Sequence, residues 1–141
     1  MKILIAVDGS KYSLRAAKRA LALAGELKIP PELAMISVHD DIGVRHASHF
    51  VGKKAVEQYL ENESAADLKP ALAAASKAGI RCESIVKIGS VAELISETAA
   101  KGKFDLIVMG SKGRTALKDL LMGSVAQRVA ALSMVPVLLV K

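Results

Sequence analysis

Tryptophan is absent from this 141-residue chain, aromatic residues make up only 3% of it, and Cys82 is its one cysteine. Each shortage excludes something. With 52% apolar residues and so few aromatics, the core must be built from Ala, Val, Ile and Leu. That composition suits helices packed on a parallel sheet. A lone cysteine excludes an internal disulfide and gives no reason to expect an oxidising compartment, so a cytoplasmic location is expected. No apolar run approaches the roughly 20 residues of a membrane span, and no membrane partner is expected. A secretory leader is not expected either. The apolar residues 3–7 and the small residues 22–24 are interrupted by Asp8, Lys11, Arg15, Lys18 and Arg19. Acidic residues are outnumbered, leaving a formal net charge of +6. That charge fits a solvated basic surface or attraction to a polyphosphate. Without a basic run or interleaved aromatics, nucleic acid is not expected as a partner.

What is present alternates between strand and helix signals. The apolar, β-branched stretch 2–7 predicts a first strand, and Asp8-Gly9-Ser10 a turn with a helix cap. Leu14, Ala17, Leu21 and Ala24 recur at helical spacing and predict a helix over 11–27. Pro30-Pro31 ends the connection to a second strand over 32–39. Residues 40–48 are polar and predict a mobile loop, with Asp40-Asp41 as a solvated turn. A long helical stretch over 49–78 is expected to break near 67–69, because Pro70 removes a helix N–H and costs about 3 kcal/mol or more. Gly79 is placed to end that helix in the left-handed conformation. A third strand over 81–88 follows, then a helix over 91–101 capped by Ser90 with Glu93 at the capping-box position. A fourth strand over 104–109, a helix over 124–132 and a last strand over 136–140 complete the pattern. The length suits one domain over residues 1–141, with no repeat, linker or low-complexity segment. Strands joined by helices imply right-handed crossovers and an open five-stranded parallel α/β sheet, Rossmann-like, with helices on both faces.

The chemistry concentrates in residues 109–125, Met-Gly-Ser-Lys-Gly-Arg-Thr-Ala-Leu-Lys-Asp-Leu-Leu-Met-Gly-Ser-Val. Gly110 and Gly113 follow a strand, where a missing Cβ lets backbone approach an anion. Gly123 and Ser124 open a helix, whose free N–H groups and dipole favour negative charge. Together they predict a phosphate cradle. The spacing is neither that of a Walker A loop nor that of a Gly-x-Gly-x-x-Gly turn. Asp8 and Gly110 both stand at carboxyl ends of strands, where ligands of open α/β sheets bind.

Asp8-Gly9-Ser10 after the first strand, the spacing Gly-x2-Gly-x9-Gly-Ser, and the ending Val135-Pro136-Val137-Leu138-Leu139-Val140 resemble the universal stress protein family over the whole chain. The resemblance implies the strand order 3-2-1-4-5, a homodimer, and membership of the subgroup that binds ATP, with Mg2+ carried on its phosphates. It also implies that the Val38 backbone meets the adenine edge and that Ala6, Val7 and Met109 line the pocket. Asp8 would bind the ribose; Gly110, Lys112, Gly113, Arg114, Gly123, Ser124 and Val125 would surround the phosphates. Lys112 stands where the family often has histidine or arginine, and Pro70 is unusual in the family helix. In that strand order the last strand lies at the sheet edge. Apolar edges call for cover, and a two-fold axis beside the strand would supply it with a second copy.

Plainer readings stand beside these. Asp8 serves equally as a helix-cap residue, Val38 as core, Lys112 and Arg114 as solvated charges, and Ser111 and Thr115 as loop polar groups. His39, His46 and His49 lack a completing cysteine or nearby glutamate, so no protein metal site is expected. Cys82 reads as a small buried hydrophobe. No general base is evident near the cradle, so no catalytic residue is assigned. The expected function is an ATP-binding regulatory protein whose nucleotide occupancy biases a surface for a protein partner. A slow ATPase or nucleotidyl hydrolase, and a nucleotide-free dimeric interaction module, are the alternatives.

Overall fold

The computed structural model describes residues 1–40, 42–115 and 117–141, with backbone alone described at 43–45, 47 and 48. Its elements are β1 (Lys2–Ala6), α1 (Lys11–Glu26), β2 (Glu32–His39), α2 (Ile42–Val51), α3 (Lys53–Lys77), β3 (Cys82–Ile88), α4 (Val91–Lys101), β4 (Leu106–Gly110), α5 (Ser124–Leu132) and β5 (Val137–Val140). The five strands form one parallel sheet in the order β3-β2-β1-β4-β5, as expected.

Alternation along the strands sorts the apolar residues onto two faces. Ile3, Ile5, Leu33, Met35 and Val108 pack with Ala16, Ala17, Ala20, Leu21 and Ala24 of α1 and with Leu68, Ala71 and Ala75 of α3. Leu4, Ala34, Ile36, Ile107 and Met109 pack with Ala92, Ile95 and Ala99 of α4 and with Ala126 and Val129 of α5. Alanine on the helix faces compensates for the missing aromatics, because small side chains let helix and sheet backbones approach.

The chain leaves β1 toward β2 and leaves β4 toward β5, in opposite directions across the sheet. The crevice between the carboxyl ends of β1 and β4 is therefore the topological switch point. No helix of the described residues is long and apolar enough to cross a membrane.

Three expectations need correction. Residues 42–51, expected within a loop and the start of one long helix, form the separate helix α2. Asp40 starts it by accepting from Ile42 N at 2.8 Å; Asp41 lies outside the described residues. The break in the helical stretch falls at Gly52, whose φ of +83° takes the chain out of the helix. It does not fall before Pro70, and α3 runs unbroken from Lys53 to Lys77. Pro70 and Ala66 are both exposed, so the Ala66 carbonyl that Pro70 leaves unpaired is open to water. Third, Ser90 precedes α4 but caps no backbone N–H. Its hydroxyl instead contacts the Glu93 carboxylate, which also pairs with Arg128 of α5. Gly79 does end α3 in the left-handed conformation, with φ +69°.

Candidate functional site

A cavity of about 350 Å³ opens at the switch point, within the size range of small-molecule sites. Ala6, Ile36, Val38 and Met109 of the sheet, Ile95 of α4 and Ala126 of α5 supply apolar lining. Asp8, Ser13, His39, Asp40, Asp67, Lys112, Arg114 and Ser124 supply polar lining. Every residue expected at the site lines this one cavity: Ala6, Val7, Asp8, Val38, Met109, Gly110, Lys112, Gly113, Arg114, Gly123, Ser124 and Val125.

The loop 111–123 is closed by short backbone bonds. Ser111 N donates to Val140 O at 2.8 Å, and Gly123 N donates to Ser111 O at 2.7 Å. Buried Ser111 is thus a joint of the loop rather than a free polar group. Gly123 is the N-cap of α5 and offers no side chain, and the first turn holds no acidic residue. The first intrahelical bond runs from Gln127 N to Gly123 O at 3.0 Å. The N–H groups of Ser124, Val125 and Ala126 therefore have no helix partner, and all three residues line the cavity.

The glycines of the loop differ in what their missing side chains admit. A Cβ on Gly110 would stand 2.8 Å from Tyr12 Cβ and 2.9 Å from Tyr12 C and Lys112 O. Gly110 therefore serves the close packing of β4 against α1 while it also lines the cavity. A Cβ on Gly113 would meet only Asp8 Oδ2, at 2.8 Å. A Cβ on Gly123 would stand 3.3 Å from Lys112 Cα and 3.5 Å from Gly113 N.

Asp8 lines the cavity and does not itself cap α1. Its Oδ1 accepts from Ser10 N at 2.9 Å and shapes the turn in which Ser10 Oγ caps α1 by accepting from Ser13 N at 3.1 Å. Its Oδ2 faces Gly113. Between the turn and the loop lies a charged cluster with no motif to announce it. Asp67 of α3 is 3% exposed, with Oδ2 2.9 Å from His39 Nε2 and Oδ1 paired with Arg114 Nη2. Burial raises the Asp67 pKa above the ordinary carboxylate value, against the pull of Arg114 and His39 and with a further push from Asp8. The only sequence signal for it was its place one turn from Ser64 and Ala71 and beside Leu68 on a helix face, which is legible once α3 is known to be continuous.

The remaining candidates, Thr115 excepted, lie away from the cavity. His46 and His49 sit exposed on α2, and among the described residues no three His, Cys, Asp or Glu side chains gather as metal ligands. Cys82 is half-buried in β3, and burial pushes its thiol up to about 11. Thr115 is exposed at the cavity.

A doubly wound parallel sheet with a glycine-bordered cavity at its switch point defines a Rossmann-like α/β protein. Within that class, the chain belongs to the universal stress protein family, whose model matches residues 1–141. It is 39% identical to universal stress protein MJ0531 of Methanocaldococcus jannaschii, an alignment covering 99% of this chain and 81% of that protein. The fold matches the solved structure of the hypothetical protein MJ0577 with a TM-score of 0.86 at 28% identity, over 99% of this chain and 94% of that one. It also matches a universal stress protein crystallised in complex with cAMP, with a TM-score of 0.70 at 26% identity, over 100% and 97% of the two chains.

Proposed function

We propose that the protein binds an adenine nucleotide, ATP with Mg2+ on its phosphates, and acts as a nucleotide-dependent regulatory protein. The carrying observation is the uncapped start of α5. Ser124, Val125 and Ala126 offer N–H groups that have no helix partner to a cavity that also holds Lys112 and Arg114. Such an arrangement suits phosphate. The apolar end, with Ile36, Val38, Ile95 and Met109, suits a flat base, and the Asp8 carboxylate a ribose hydroxyl. The missing Cβ of Gly113, which would crowd Asp8, fits a cradle kept open for a ligand. The cAMP carried by a structural relative is consistent with adenine as the base.

Thermal denaturation with ATP tests the reading. At a ligand concentration of 100 times Kd the protein gains about 2.7 kcal/mol, a Tm rise of roughly 5–11 °C. No shift at millimolar ATP, in protein shown to be purified empty, refutes it.

The hydrolytic alternative has one structural point in its favour: His39 lines the cavity with a buried carboxylate on its ring. Steady-state turnover above about 1 per second would place the protein among ordinary enzymes; regulatory binding predicts less.

Dimerisation through β5 belongs to the same proposal. Pro136 O and Val140 O accept from Ile107 N and Ser111 N of the β4 side. In a parallel ladder this leaves the backbone groups of Val137 and Leu139 turned to the open edge. Leu138 and Val140 pack on the α1 side of the core, so lysines there would unfold the protein rather than part a dimer. The test is sedimentation of the wild type, and a monomer at micromolar concentration refutes the pairing.

A further inference from the structure

A carboxylate in a helix interior is expensive to bury unless fully paired. Asp67 has both oxygens occupied, by His39 of β2 and by Arg114 of the cavity loop. The pair with Arg114 fills the notch that Gly9 leaves. A Cβ on Gly9, which has φ +79°, would collide with Asp67 Oδ1 and stand 2.7 Å from Arg114 Nη2. Three segments distant in sequence thus meet at one guanidinium edge. The Arg114 side chain is half exposed and lines the cavity. Its Nε and Nη1 hold no protein partner among the described residues.

A guanidinium carries five donors in a fixed fork, so one edge can be held while another meets an anion. Withdrawing Arg114 from Asp67 would leave a buried charge with His39 alone, so the pair resists exchange when an anion arrives. From this geometry we infer that Asp67 is a positioning residue: it fixes one edge of Arg114 over Gly9, so that the remaining donors serve the phosphate end of the ligand. The inference rests on the nucleotide reading above, and it assigns Asp67 a share in selecting ligands by their phosphates.

Isothermal titration with ATP and with adenosine, on wild type, Asp67→Asn, Arg114→Ala and the double variant, tests it. Asp67→Asn weakens ATP about tenfold, equivalent to about 1.4 kcal/mol, and leaves adenosine within about twofold. In the Arg114→Ala background the Asp67→Asn effect on ATP disappears, which a merely structural role would not produce. The inference is overturned if the tenfold loss persists without Arg114 or extends equally to adenosine. It is also overturned if Asp67→Asn tightens ATP, which would mean that Asp67 competes with phosphate for the guanidinium. A wild type that binds no ATP sinks the nucleotide reading and this inference together; a wild type that binds ATP without the coupling sinks the inference alone. Should Asp67→Asn not fold, Arg114→Lys decides. An ammonium gathers its donors on one nitrogen and lacks the separate edges of the fork, so this variant recovers little of the affinity lost in Arg114→Ala, and wild-type affinity overturns the inference.

Discussion

Gly110→Ala and Gly113→Ala should part company, although the same motif supplies both glycines. At Gly110 the new methyl would stand 2.8 Å from Tyr12 Cβ and 2.9 Å from two backbone atoms, Tyr12 C and Lys112 O. Carbon atoms prefer roughly 3.5–4.0 Å, so α1 or the loop must retreat by the better part of an ångström. Neither is free to do so. Ala16, Ala17 and Ala20 of α1 are fully buried against the sheet, and the loop is tied by Ser111 and Gly123. Overpacking of this kind costs about 1–3 kcal/mol, or a Tm lower by roughly 2–12 °C. At Gly113 the methyl meets only the end of the Asp8 side chain, which can rotate. Stability should stay within about 0.5 kcal/mol, while the disturbed carboxylate weakens nucleotide binding. Urea melts with unchanged m-value read the first effect, and ATP titration reads the second. An unchanged midpoint for Gly110→Ala, with a lowered one for Gly113→Ala, would refute the reasoning.

Asp8→Ala removes both the turn bond to Ser10 N and the oxygen facing Gly113. It should cost about 1 kcal/mol of stability and about 1.5–3 kcal/mol of ATP binding, and a stability loss with unchanged ATP affinity leaves Asp8 only its turn role. Cys82, with its thiol raised to about 11 by burial and then by the Glu83 charge, should react slowly with a disulfide reagent at pH 8 and rapidly in urea. A native rate equal to that of a free thiol contradicts its burial. Hydrogen bonds from Arg128 and then Ser90 lower the Glu93 pKa from its ordinary 4.5 to about 2. A depressed acid contributes stability above the unfolded value and loses it as pH falls from about 4.5 through about 2. Urea melts should therefore find Glu93→Gln less stable than wild type at pH 6, with the gap closing by pH 2, and a pH-independent gap speaks against the pairing.

The sheet was legible because its signals are local. β-branched apolar runs, a glycine after each of several elements and alanine at helical spacing need no distant partner to be interpreted. Strand order came from resemblance, since no run of residues states which strand lies beside which. The place of the cavity was legible because Gly110, Gly113, Gly123 and Ser124 stand close together in sequence, and all four line one side of it. What each glycine does was not legible. The atoms that crowd Gly110 belong chiefly to Tyr12, in a helix packed against β4 from the other end of the sequence.

Pro70 accounts for the largest gap, and the reason is where its ring lies. The cost of an interior proline, about 3 kcal/mol, assumes a freed carbonyl with nothing to bond and a helix with nothing else to hold it. Here the freed carbonyl belongs to exposed Ala66, where water can meet it. On the opposite side Ser64, Leu68, Ala71 and Ala75 are buried along the same helix, and their burial favours keeping it straight. A helix broken at 67–69 would put Asp67 in a solvated turn, an ordinary surface charge. The continuous helix turns it inward, to His39 and Arg114. The misplaced break therefore concealed a buried acid beside the cavity, because whether Asp67 is solvated or paired follows from whether the helix through Pro70 holds.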